Sequence, residues 1–144
     1  MTADAAASAI RVGPRQPWRI VLGALDEKLG IEVHEQSIDR VVASMPVDGN
    51  TQSLGRLHGG ASAALAEAAG SWAALIYAST WGKACVGVDL NITHHRGARA
   101  GRIHATATPL HLGRRSATHQ IVVTHDDGSL LATARITNFL IDPE

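Results

Sequence analysis

Three small features of the sequence could do chemistry together. His58, Gly59 and Gly60 stand just ahead of an apolar stretch, Glu67 follows nine residues after His58, and Ser71 comes four residues later. Unpaired amides at the start of a helix point outward and carry partial positive charge. A glycine there lets a substrate carbonyl come close to the backbone. That combination suits an oxyanion hole, although His-Gly-Gly by itself is equally a plain turn. Glu67 is the only charged side chain between Arg56 and Lys83, setting His58 aside. A solvent-facing helix normally carries Lys, Arg and Glu along its outer side. A lone carboxylate among small residues is therefore expected to be desolvated or at a subunit contact, with its pKa raised toward the working pH. An ordinary surface Glu is the alternative, and the absence of any other charge on the segment argues against it. Ser71 lies one turn beyond Glu67 on the same face, where it could orient the carboxylate or a water, or simply pack. No Gly-x-Ser-x-Gly elbow surrounds it, so it is not read as a nucleophile.

These residues need a scaffold, and the pattern supplies one. Leu65, Trp72 and Ile76 share one stripe at helical spacing, which places His58 at the start of a long helix over 60–79. A shorter helix is expected over 20–29, ending at Gly30, and strands over 31–35 and 40–46, with a polar loop from Asp48 to Ser53. The rest is strand-rich: 85–94, 102–112, 116–125 and 129–141. Ile103, Ala105 and Ala107 alternate with polar neighbours, and Asp127-Gly128 is a hairpin signal. Strands, one long helix, then four strands in series make an α+β domain, an antiparallel sheet with the helix on one face.

The 144 residues, 45% hydrophobic and 18% charged, fit one globular domain. Residues 1–17 are Ala-rich without the apolar core of a signal peptide and read as a loose arm, with the ordered domain over 18–144. No stretch is apolar enough for a convincing membrane span, and the single Cys85 allows no internal disulfide; a cytoplasmic protein is expected. Zero net charge argues against a dedicated nucleic-acid binder. Between Leu90 and His125, however, there is no Asp or Glu, while five arginines (96, 99, 102, 114 and 115) and six of the eight histidines occur. Such a segment suits an anionic small ligand, phosphates above all, or else consists of strand-end arginines in solvent. His94 and His95, adjacent on a strand, point to opposite faces, and no metal site is expected.

With these residues in hand, the sequence resembles the hotdog-fold thioesterases of the phenylacetate-pathway and hydroxybenzoyl-CoA type. It looks most like the branch that proofreads aryl carrier proteins in siderophore synthesis. The resemblance is carried by Leu57-His58-Gly59-Gly60-Ala61-Ser62-Ala63-Ala64-Leu65-Ala66-Glu67, by Val86-Gly87-Val88-Asp89-Leu90-Asn91-Ile92-Thr93-His94-His95-Arg96, and by Pro109-Leu110-His111-Leu112-Gly113-Arg114. It implies a long central helix wrapped by a curved antiparallel β-sheet, assembled as a dimer at least and commonly a homotetramer. It implies hydrolysis of acyl-CoA or acyl carrier protein thioesters without a cofactor, with Glu67 as nucleophile or general base. The Gly59 amide would polarise the carbonyl, His58 would help to place the thioester, Gln52 would orient the reacting groups, and Ser71 would support the carboxylate. His94 and Arg96 would border the substrate, and Gly113, Arg114, Arg115 and Ser116 would meet the CoA nucleotide. Two departures stand out: Gly97 where many relatives have Pro, and the bulky Trp72 at a position bordering the acyl pocket. A non-catalytic acyl-CoA-binding hotdog protein is the alternative. The presence of Glu67, Gln52 and His58 together argues against it, because a pure binder needs no carboxylate beside the carbonyl.

Overall fold

The computed structural model describes residues 17–144, so the arm expected over 1–17 falls outside it except for Pro17. Helix α1 spans Ala24–Leu29, four residues shorter at its start than the sequence pattern suggests. The reason is local: the Ile20 amide donates to Gln36 Oε1 at 2.9 Å, and the Gly23 amide to Asp26 Oδ2 at 2.7 Å. Both bonds hold the incoming chain outside the helix. Gly30, at φ 73°, closes it in the left-handed conformation that glycine tolerates.

Strands β1 (Glu32–Gln36), β2 (Val41–Pro46), β3 (Ala84–His94), β4 (Arg102–Leu112), β5 (Ser116–His125) and β6 (Leu130–Ile141) form one antiparallel sheet in the order β1-β2-β4-β5-β6-β3. Helix α2, Gly59–Ser79, lies across one face. The Asp127-Gly128 hairpin is formed as expected, with the Ser129 amide on Asp127 Oδ1 at 2.8 Å. The two outermost strands differ in character. β1 is short, kinked by a bulge, and carries exposed Glu32 and Glu35. β3 runs for 11 residues with exposed Val86 and Val88, and among the described residues no strand pairs with its free side.

Register explains how the helix can lie close to the sheet. Ala43 pairs with Ala105, Ala105 with Val123, and Val123 with Ala132, so a row of small side chains crosses four strands beneath α2. Leu65 and Ile76 of α2 are completely buried against this face, each contributing roughly 1.5–3 kcal/mol. Gly70 marks the tightest approach, since a Cβ there would lie 2.4 Å from Ile136 Cγ2. The next row holds Ala107, Ile121, Ala134 and Ile92, the one after it His119, Ile136 and Leu90, and the third Ala117, Asn138 and Gly87. Two polar side chains thus enter the helix-facing side at one end of the core.

His119 is fully buried and neither ring nitrogen has a partner among the described residues. Burial penalises the charged ring and lowers its pKa to about 4. The unfolded ring titrates near 6.5, so the neutral imidazole supports the fold fully above about pH 6.5. That support, about 3 kcal/mol, is lost as the pH falls toward 4, because only the unfolded chain takes up the proton in that window. Chemical denaturation of His119→Leu should therefore show a flatter stability curve than wild type between pH 6.5 and 4. Parallel curves would exclude His119 as the titrating group.

Candidate active site

The loop before α2 sets the helix start in place. Asn50 Nδ2 donates to the carbonyls of Leu29 and Pro46 at 2.8 and 2.9 Å, and the Asn50 carbonyl accepts the His58 amide at 2.9 Å. Gln52 Oε1 accepts the Leu54 amide, and the Gln52 amide donates to the Arg56 carbonyl at 2.7 Å. The tight turn over 52–56 thus uses the side-chain oxygen of Gln52 and leaves its Nε2 to donate elsewhere. His58 is the N-cap, with Nδ1 accepting the Gly60 amide at 2.8 Å. An accepting Nδ1 in a neutral ring puts the proton on Nε2, so the cap also fixes the tautomer. The Gly59 amide takes part in none of these bonds.

Gly59 is needed for a close approach. A Cβ there would lie 3.2 Å from His94 Nε2 and 3.5 Å from its Cε1, so the His94 ring covers the first residue of the helix. Gln52, Gly59, Ser62, His94 and Arg96 line one cavity. His95 also borders this cavity, while its ring bonds Thr133 Oγ1 at 2.9 Å.

Glu67 lies elsewhere. It borders a cavity with Gly87, Val88, Asp89, Leu90 and Ile136, and a second with Asp26, Ala64, Ser71 and Trp72. None of these residues lines the Gly59 cavity. Eight residues along a helix correspond to a rise of about 12 Å, which accounts for the separation. The burial expected for Glu67 is not supplied by the described residues: Glu67 is exposed. Among the described residues the sheet ends at β3, beside Gly87, and no further strand extends over the flank of α2 where Glu67 sits. Ser71 Oγ accepts from Asn138 Nδ2 at 3.3 Å. Trp72 is 93% buried, with its indole between the core and the Glu67 cavity. Cys85 is beside Ser71, its Sγ 3.9 Å from the Ser71 carbonyl, and burial pushes its pKa up to about 12. The thiol therefore stays protonated and is no nucleophile.

The basic segment divides. Arg102 donates to Ser44 Oγ at 2.9 Å and pairs with Glu32 at 3.4 Å, and His104 pairs with Asp126 at 2.7 Å. These residues brace the sheet. Arg114 and Arg115 are exposed in the β4–β5 hairpin and have no ion pair among the described residues. Gly113 and Ser116 close that hairpin through the Gly113 amide and Ser116 carbonyl at 2.9 Å. Tyr77, near the end of α2, donates its hydroxyl to the Gly113 carbonyl at 3.1 Å. One chain therefore holds the helix start, the Glu67 carboxylate and the arginine hairpin at three stations along α2. Gly87, Asp89 and Asn138 border or back the Glu67 cavity and were not singled out by sequence reasoning. A glycine inside a strand signals a bulge or a close approach, and β3 does shift register between Gly87 and Asp89. No group of side chains able to hold a metal occurs among the described residues, and no described helix is long and apolar enough to cross a membrane.

Known proteins share this fold. The profile of the Thioesterase superfamily matches residues 54–132, more than half of the chain. The proofreading thioesterase EntH of Cronobacter turicensis is 42% identical over 117 residues, 81% of this chain and 85% of its own. A thioesterase crystal structure from Haemophilus influenzae superposes with a TM-score of 0.77 at 38% identity, covering 83% of this chain and 84% of that one. The E. coli PaaI protein, from the phenylacetic acid degradation operon, superposes with a TM-score of 0.76 at 25% identity, covering 84% and 86%. The helix, the sheet that wraps it and the lone carboxylate accordingly belong to a hotdog-fold member of the Thioesterase superfamily, a thioester hydrolase.

Proposed function

We propose that this chain hydrolyses acyl thioesters carried on CoA or on an acyl carrier protein, aryl groups among them, at sites shared between two protomers. The observation that carries the reading is the placement of Gly59 and Glu67 in separate cavities on one helix, with Glu67 beside the open edge of β3. Reacting atoms must come within about 3–3.5 Å, which the Gly59 amide and Glu67 of one helix cannot achieve on one carbonyl. Each site then joins the helix start of one subunit to Glu67 of the partner subunit. The exposed apolar edge of β3 supports this, because such an edge is a template for pairing with another strand. Pairs of such dimers would give the tetramer that the resemblance implies.

In that site the Gly59 amide, at the positive end of α2, donates to the thioester oxygen as charge develops there. The remaining donors, His58 Nε2 and Gln52 Nε2, help to hold the carbonyl in place. Glu67 attacks the carbonyl carbon, or takes a proton from the water that does, and the thiolate leaves. Arg114 and Arg115, unpaired and exposed, would bind the phosphates of the carrier. The name of one relative, the proofreading thioesterase EntH, supports a thioester substrate.

Glu67→Gln should fold normally and lose at least about 10²-fold in activity, the low end for a positioned acid–base group. Release of free thiol from benzoyl-CoA is the measurement, and near-wild-type kcat would remove Glu67 from the mechanism. Arg114→Ala should raise KM for CoA thioesters and barely affect a short thioester lacking the nucleotide; equal losses on both would make the arginine structural. Shared sites have a sharper test. Glu67→Ala and His58→Ala, each inactive alone, would be differently tagged, mixed under mild denaturant, refolded and enriched as heterodimer. One of the two sites then has both residues intact, and activity should return to about half of wild type per dimer, given independent sites. Verified heterodimers that stay inactive would overturn the shared-site arrangement.

A further inference from the structure

We infer that Asn138 is a positioning residue for the Glu67 carboxylate, acting through the hydroxyl of Ser71. The inference rests on the reading of Glu67 as the catalytic acid and adds a residue to that site. Asn138 lies on β6, facing α2, and is 1% exposed. Its cross-strand neighbours are Gly87 on β3 and Ala117 on β5, so the register leaves room for an amide between two small residues. Burying an amide in such a place costs stability unless its bonds are made. Asn138 makes one side-chain bond: Nδ2 donates to Ser71 Oγ at 3.3 Å, and Oδ1 has no partner among the described residues. A side chain kept only for packing would be apolar here, and one kept only for structure would be satisfied at both ends.

The direction of that bond matters. Ser62 and Ser79, the other serines whose hydroxyls bond within α2, donate to the helix carbonyls of His58 and Ile76. Ser71 instead has its oxygen engaged as an acceptor, and no bond from its hydroxyl to its own helix is formed. Its proton is then available to an acceptor on the same helix face, and Glu67 stands one turn back. Gly87 shows that the carboxylate and the amide converge. A Cβ on Gly87 would lie 3.5 Å from Asn138 Nδ2 and 3.9 Å from Glu67 Oε1. The buried Asn138 amide thus fixes the Ser71 hydroxyl, which borders the same cavity as Glu67 and is placed to donate to the carboxylate. The carboxylate is exposed on a helix flank and accepts no hydrogen bond from a described residue in the single chain.

The test uses the full chain with benzoyl-CoA, comparing wild type, Asn138→Ala, Ser71→Ala, the double variant, Asn138→Asp and Glu67→Gln. Asn138→Ala should lower kcat about tenfold with KM changed less than about twofold, the mark of lost orientation rather than lost binding. The double variant should be no worse than about twofold below the poorer single variant, because residues acting in series do not add. Asn138→Asp places a negative charge facing Gly87 next to Glu67 and should move the acid limb of kcat/KM upward by about half a pH unit or more. Asp26 of α1 and Asp89 and Cys85 of β3 also border this region, and they are the same in every variant. If Asn138→Ala does not fold, Asn138→Ser takes its place, with a kcat loss of about fivefold or more expected. A full kcat in the folded alanine or serine variant, additive losses with Ser71→Ala, or an unmoved acid limb would each overturn the inference. Should Glu67→Gln be inactive in that event, the reading of Glu67 survives and only the role of Asn138 falls. A fully active Glu67→Gln would remove both.

Discussion

Helix α2 rises about 1.5 Å per residue, and its whole length is clamped onto the sheet by Leu65, Ala69, Trp72 and Ile76. The carboxylate of Glu67 therefore has a fixed height and a fixed direction relative to the amide of Gly59. Neither can swing toward the other without breaking the core. The sheet beneath fixes the remaining variable, the rotation of the helix about its axis. Gly70 has no room for a Cβ against Ile136, so the face that meets β6 cannot turn, and Glu67 is left on the flank beside β3. The separation of the two groups follows from the fold and is no accident of side-chain conformation.

The helix-facing side of the sheet is apolar over most of its rows and polar at one end, where His119 and Asn138 sit in successive rows of β5 and β6. Each leaves buried polar atoms without partners, and such atoms cost roughly 1–3 kcal/mol apiece. The two differ in what the cost accompanies. Asn138 touches Ser71 and faces the Glu67 cavity. His119 has no hydrogen-bond partner among the described residues and contributes a dependence of stability on pH. A core that keeps both is less stable at that end than an apolar one would be, and that end borders the Glu67 cavity.

Much of this was legible in the residues. The strands from β4 to β6 follow the alternation of Ile103, Ala105 and Ala107 and the Asp127-Gly128 turn to within a residue, because period-two patterning on a half-buried sheet leaves little choice of register. Glu67 stood out because no other charge shares its helix. Its surroundings were not legible, since a helix small on all sides can be buried by its own chain or by a neighbour, and the sequence does not distinguish the two. Asn138 was invisible for a similar reason: an Asn in a strand reads as an outward polar residue until pairing with Gly87 and Ala117 turns it inward. Arg102 and His104 looked like part of an anion site because charge was counted along the chain. In space they face Glu32 and Asp126, residues outside the acid-free stretch. The start of α1 was misread because two side chains, Gln36 and Asp26, hold the preceding backbone extended.

Two-fold symmetry makes a further demand on the proposed shared site. A dimer of identical chains buries the same patch on both sides. If Gly59 of one helix stands opposite Glu67 of the partner subunit, then Glu67 of the first stands opposite the partner's Gly59, and the helices run antiparallel. Their crossing point falls midway, at residue 63. The side chains there are Ala63 and Ala64, both only half-buried in the single chain. Solvent-facing helix positions ordinarily carry long charged residues, whereas two helices that cross closely need small ones. Gly60, a turn before the crossing, is exposed as well. The same run of small residues that leaves Glu67 conspicuous in the sequence thus gives a second helix room to lie against it, and that helix would exclude water from a carboxylate its own sheet leaves open.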